Sequence, residues 1–246
     1  MAPENTVAAF ARAIDDGAEG IELDVRLAHD GVPVVIHDAS LRRTGLASGA
    51  IDQISSGELA GTDVGTWFNR ARPELAREEF ASEGVPTLER VFQLVIDPHF
   101  TIHVELKSDG NESDNLVRSV IELITRYRFQ ERVTVVSFDL DAIRQTKRLD
   151  SSIRTGALFA PRHGGGMGLR AERIVAMATD SGADEILLHR LIARPRLVNS
   201  ALKNNLPVVV WTVDDLGWLQ RARDLGVQAL ITNNPALLIA HRDLPQ

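Results

Sequence analysis

From Pro86 to the C-terminus, short apolar runs alternate with amphipathic stretches in unbroken succession, and that order leaves few folds open. Helical spacing over 87–96 leads to a strand at 101–107, then a helix at 113–128, a strand at 133–138 and a helix at 140–148. The series continues with a strand at 154–159, a helix at 169–181, a strand at 185–189 and a helix at 195–204. It closes with a strand at 208–213, a helix at 215–225, a strand at 229–232 and a helix at 235–241. Strands separated in this way by helices build an α/β fold, a parallel sheet with helical cover.

The first third of the chain is less regular. Pro3-Glu4-Asn5-Thr6 carries helix-start residues, and Val7, Phe10 and Ile14 follow at helical spacing until Gly17 supplies a stop. A hairpin comes next, with Gly20-Ile21-Glu22-Leu23-Asp24-Val25 going out and Val32-Pro33-Val34-Val35-Ile36-His37-Asp38 returning. Asp30-Gly31 between them reads as a two-residue type I′ turn. On that reading paired positions sum to 61, so Asp24 lies opposite His37. Residues 39–84 break into short pieces rich in Gly, Ser and Asp, and a connection of that length reads as a functional insertion, a small cap over one end of the fold. Strands total seven, the Glu22-Asp24 strand and six after Pro86, against eight helices. A (β/α)8 barrel closes with eight strands, so the count implies that the chain begins just after its first strand.

The 246 residues, 44% of them apolar, are close to the ~250 typical of one such barrel, so a single domain over 1–246 with 39–84 inserted is expected. A net charge of −7 argues against non-specific binding to nucleic acid or to an anionic membrane. Without cysteine there is neither a disulfide nor a thiolate metal site, which leaves carboxylate and histidine chemistry. No stretch approaches the ~20 apolar residues of a membrane span, no signal peptide is visible, and the expected compartment is the cytoplasm.

Period-2 geometry puts Glu22 and Asp24 on one face of a strand that otherwise reads as buried. Ionised groups are costly to bury without a partner, so a cation between them is the economical explanation. Glu105 ends the next strand of the sheet and carries the same chemistry. Three carboxylates at matching strand ends favour a hard divalent ion, Mg²⁺ or Ca²⁺, over Zn²⁺.

The residues Ala2-Pro3-Glu4-Asn5-Thr6, Gly20 through Val25, Asp30-Gly31 through Asp38 and Leu41-Arg42-Arg43-Thr44 together resemble the glycerophosphodiester phosphodiesterase family, which is built on a TIM barrel. So do Val85-Pro86-Thr87-Leu88, Val104-Glu105-Leu106-Lys107, Ser137-Phe138, Trp211-Thr212-Val213 and Ile231-Thr232-Asn233, in the family's order. One departure is that the family carries a His-Arg-Gly on its first strand, with one of two catalytic histidines, and that segment does not exist here. The resemblance implies metal-assisted hydrolysis of a glycerophosphodiester to an alcohol and glycerol 3-phosphate, either through a cyclic phosphate or by direct attack of water. A phosphodiester is anionic, so the reaction needs charge neutralisation, in-line positioning and protonation of the leaving alkoxide.

In that chemistry Glu22, Asp24 and Glu105 hold the cation, and His37 is the candidate general acid or base, since an imidazole suits proton transfer near neutrality. Lys107 shares a face with Glu105 and holds a phosphate oxygen or pairs with the carboxylates. Trp211 walls the substrate pocket or fills the barrel top, and Phe138 reads the same way or as core. His103 reads as a packing residue of the lumen, His189 as the one histidine placed to stand in for the missing one, and His29, His99, His163 and His241 as surface or loop. Gly164-Gly165-Gly166 lacks the residues of a phosphate loop and reads as a flexible connection. The partner expected is a small glycerophosphodiester. Rival readings are a phosphodiesterase for lysophospholipids or phosphoinositol head groups and a pseudoenzyme that binds without turnover.

Overall fold

The N-terminal helix α1 (Val7–Asp15) starts where Thr6 caps it, the hydroxyl accepting from the Ala9 amide at 3.2 Å, and buries Phe10. The structure is a computed structural model, and residues 1–107, 113–161 and 170–242 are described. Gly164-Gly165-Gly166 and His163 lie outside the described residues. The chain forms two compact units, Met1–Val133 and Thr134–Gln246.

In the first unit, strand β1 (Gly20–Leu27) pairs antiparallel with the short β2 (Pro33–Val35) and parallel with β3 (Thr101–Leu106). The hairpin sits where its turn residues place it, but its register differs from expectation. Val25 faces Val35 and Arg26 faces Val34, so paired numbers sum to 60, and the Ile36 amide donates to the Asp24 carbonyl at 2.9 Å. The cause is the turn. Gly31 donates to the Ala28 carbonyl and Ala28 to that of Val32, while Gly31 takes φ +75°, so the loop is a three-residue turn ending in a left-handed glycine. A one-residue shift reverses every facing. His37 therefore does not lie opposite Asp24.

Residues 39–84 contain helices α2 (Ser56–Ala60) and α3 (Thr66–Ala71) and three 3-10 turns, at Ile51–Gln53, Pro73–Leu75 and Glu78–Ser82. They pack through Leu41, Ile51, Leu59 and Val64 onto Ala28, Val34 and Ile36 of the hairpin, a satellite core of its own. Helices α4 (Leu88–Leu94) and α5 (Ser113–Tyr127) complete the unit.

From β4 (Val133–Ser137), whose first residue closes the first unit, the chain repeats one pattern: α6 (Leu140–Leu149), β5 (Arg154–Phe159), α7 (Ala171–Asp180) and β6 (Glu185–His189). Then follow α8 (Pro195–Lys203), β7 (Val208–Trp211), α9 (Gly217–Leu225), β8 (Ala229–Leu230) and α10 (Pro235–Arg242). Neighbours β4 to β8 pair parallel in chain order. The alternation read from the sequence is thus present, with β7 and β8 each ending two residues before the expected 213 and 232. Val213 still donates to the Ile231 carbonyl at 2.9 Å, so the last rung persists without regular strand geometry. One side of these strands, with Ile186, Leu188, Val208 and Val210, packs with Ile143, Ile174 and Val198 from the helices. Each such side chain contributes about 1.5–3 kcal/mol through burial.

Candidate active site

The site is assembled from β1 and β3. Their parallel register sets Glu22 beside His103 and Asp24 beside Glu105, and alternation keeps all four on one face. Asp24 and Glu105 are only 8% and 7% exposed. Glu22 is half-buried as a residue with its carboxyl turned into the cluster, and an oxygen from each of the three carboxylates lies within 4.8 Å of the others. The three acids predicted to converge do so.

Two neighbours orient them. The Lys107 ammonium stands 3.1 Å from Asp24 Oδ1 and 2.5 Å from Glu105 Oε1. Asn5 holds the other side of Asp24: its amide donates to Asp24 Oδ2 at 2.8 Å, and its oxygen accepts from the Asp24 backbone N–H at 3.2 Å. This grip needs Asn5 at φ 56°, a left-handed conformation that asparagine tolerates better than most residues.

The charge balance fits a divalent cation. Three carboxylates against one ammonium leave a formal excess of two negative charges. Burial first, and then repulsion from Asp24 and Glu105, hold the Glu22 carboxyl well above the ordinary range. Burial likewise pushes Glu105 up to about 7 even though Lys107 opposes the shift. A cluster that retains protons next to a lysine is under-neutralised, and an all-oxygen set of this kind suits a hard ion. Glu22, Asp24 and Glu105 are therefore a possible metal-binding triad.

His37 follows β2, with its side chain half exposed. Its Nδ1 is 2.6 Å from Asp38 Oδ1, its carbonyl accepts from Arg26 Nε at 2.9 Å, and its imidazole is close enough to Glu105 to favour the ionised carboxylate there. Asp38 is in turn bound by Arg43, whose hydrogen bonds, ahead of that from His37, lower the Asp38 pKa to about 2.

Trp211 and Phe138 belong to the second unit. They meet edge to face at 5.8 Å, with His189 edge-on to Trp211 at 5.0 Å, and both aromatic rings pack on Val136, Leu158, Leu187 and Val209. His189 Nδ1 accepts from the Leu191 amide at 3.2 Å, and burial lowers its pKa.

Sequence reasoning missed Asn5, Arg26, Asp38 and Arg43. In the sequence Asn5 reads as part of a helix start and of the family motif, with no role at the site, although an asparagine just before a capping threonine is also a residue suited to positive φ. The other three contact the site through pairings of the loop after β2, which strand periodicity does not describe.

With this geometry in view, the comparisons with known proteins converge. Residues 1–237 match the model of the glycerophosphoryl diester phosphodiesterase family. A glycerophosphodiester phosphodiesterase of Caldanaerobacter subterraneus subsp. tengcongensis is 34% identical over 237 residues, 96% of this chain and 91% of that protein. One from Bacillus subtilis is 28% identical over 250 residues, covering 96% and 80%. Among solved structures, an Oleispira antarctica phosphodiesterase in complex with its product sn-glycerol-3-phosphate superposes with a TM-score of 0.85 at 23% identity, covering 99% of this chain and 92% of that one. A glycerophosphodiester phosphodiesterase of Agrobacterium tumefaciens gives 0.77 at 24% identity, covering 98% and 94%. The α/β fold matches those structures along its length, and the chain belongs to the glycerophosphoryl diester phosphodiesterase family, as a phosphoric diester hydrolase.

Proposed function

We propose that this protein hydrolyses glycerophosphodiesters to an alcohol and glycerol 3-phosphate, with Glu22, Asp24 and Glu105 holding one divalent cation, Mg²⁺ or Ca²⁺. The observation that carries the reading is the meeting of three largely buried carboxylates within 4.8 Å, beside a lysine that neutralises only part of their charge. On this reading the chain is a single phosphodiesterase-like domain in which residues 39–84 form a cap. When bound, the cation neutralises a phosphate oxygen and so lowers the barrier to attack at phosphorus.

The chain's own residues do the rest. Lys107 adds a second positive charge beside the same carboxylates and is the point charge for a second phosphate oxygen. His37 moves the proton. With Nδ1 engaged by Asp38, its Nε2 takes a proton from the nucleophile or gives one to the departing alkoxide. Trp211 and Phe138, whose rings meet edge to face at 5.8 Å, are the aromatic residues that the resemblance assigns to substrate binding.

Release of glycerol 3-phosphate from glycerophosphocholine tests the proposal. The metal-stripped protein should be inactive and recover with Mg²⁺ or Ca²⁺, and Glu22→Gln, Asp24→Asn and Glu105→Gln should each cost at least about 10²-fold. Full turnover in chelator, or wild-type rates in all three variants, would refute the assignment.

A further inference from the structure

Arg43 is heavily engaged at the edge of the carboxylate cluster, and nothing in the proposed reaction uses it directly. Its guanidinium makes four contacts with two acids. Nε donates to Asp38 Oδ2 at 2.7 Å and one terminal nitrogen reaches Asp38 Oδ1 at 3.2 Å. The two terminal nitrogens also donate to the two oxygens of Glu4, at 2.7 and 2.6 Å. The guanidinium lies 6.0 Å from the centroid of the Trp67 ring, which α3 carries and whose Nε1 is tied to the Val64 carbonyl at 2.8 Å. Glu4 before α1, Asp38 just after β2 and Trp67 on α3 thus meet on one cation, 39, 5 and 24 residues from Arg43.

Such a hub is poorly explained as a device for stability. The side chains of Arg43, Glu4 and Asp38 are 44%, 38% and 28% exposed, and ion pairs of that exposure add little to stability. Its geometric consequence is larger. Asp38 Oδ1 receives His37 Nδ1 at 2.6 Å while Arg43 fixes the plane of the same carboxylate. An ionised carboxylate only accepts, so the proton of a neutral His37 ring must sit on Nδ1 and the lone pair on Nε2. Meanwhile Arg26 anchors the His37 carbonyl from β1, so both the backbone and the ring of this residue are held.

We infer that Arg43, clamped by Glu4, is a positioning residue that acts through Asp38 to present Nε2 of His37 to the substrate. This deepens the reading of His37 as the proton-transfer group and rests on it. The forked guanidinium suits this role better than an ammonium, because a lysine offers one point charge and holds two carboxylates less firmly.

The test uses the full chain loaded with Mg²⁺. With ¹⁵N-histidine labelling in alkaline buffer, the ring nitrogen shifts of His37, identified by their absence in His37→Gln, report the tautomer without any turnover. The wild type should be held almost wholly as Nδ1–H, and Arg43→Met and Asp38→Ala should show mixed tautomers. Arg43→Met should lower kcat on glycerophosphocholine about 10–100-fold with KM within about threefold, Arg43→Lys should recover part of the loss, and Glu4→Gln should fall between. A wild-type tautomer in Arg43→Met, or an undiminished kcat, would overturn the inference. Undiminished turnover in His37→Gln would instead remove the reading of His37, and the tautomer measurement would still decide whether Arg43 positions the ring.

Discussion

Stripped of cation, the protein should lose stability as the pH rises through neutrality, and Glu105 sets the window. Its carboxyl titrates near 4.5 in an unfolded chain and at about 7 in the folded one. A group whose folded pKa is raised binds more protons in the native state, so its stabilising contribution is fully present below pH 4.5 and disappears as the pH climbs through 7. At ~1.36 kcal/mol per unit, the shift corresponds to about 3 kcal/mol lost over that interval. Glu22 is displaced in the same direction and adds to the slope. Asp38 does not interfere, since its lowered pKa of about 2 confines its own effect to acid. A loss of ~3 kcal/mol moves a urea midpoint by about 1 M when the slope is about 3 kcal/mol per M. Urea unfolding at pH 5 and pH 8 in chelator should show that decrease, millimolar Mg²⁺ or Ca²⁺ should abolish it, and Glu105→Gln should flatten it. A wild-type midpoint that is pH-independent in chelator, or unaffected by either ion, would refute the account of the cluster as under-neutralised.

Asn5→Ala should weaken cation affinity about 10–100-fold, as loss of a group that orients a ligand does, while leaving the melting temperature within a few degrees; calorimetric titration with Mg²⁺ checks it. Gly20→Ala should destabilise by at least about 1 kcal/mol and reduce turnover, because a Cβ there falls 2.6 Å from the Thr101 carbonyl and must push β1 off β3 at the base of the site. An unchanged melting temperature would show that the strands give way freely. Trp211→Leu should raise KM for glycerophosphocholine severalfold with kcat within about threefold if the ring takes part in substrate binding, and an unchanged KM would restrict it to packing against Phe138 and His189.

Local chemistry alone determined a good deal of this protein. Alternating runs after Pro86 place five parallel neighbours in chain order, because each strand and helix is specified by its own periodicity. Strand alternation likewise sets Glu22 and Asp24 on one face whatever surrounds them. Other features depend on partners distant along the chain. Asp24 meets Glu105 only through the register of β1 on β3, Asn5 reaches Asp24 across 19 residues, and Glu4 reaches Arg43 across 39. The hairpin shows the boundary between the two. Asp30-Gly31 marks its turn, yet whether the loop holds two residues or three is settled by pairing and packing around it, and that one residue decides that His37 is oriented by Asp38 and not by standing opposite Asp24. Periodicity acts within a segment, whereas a site is made of contacts between segments, and only the folded chain brings those together.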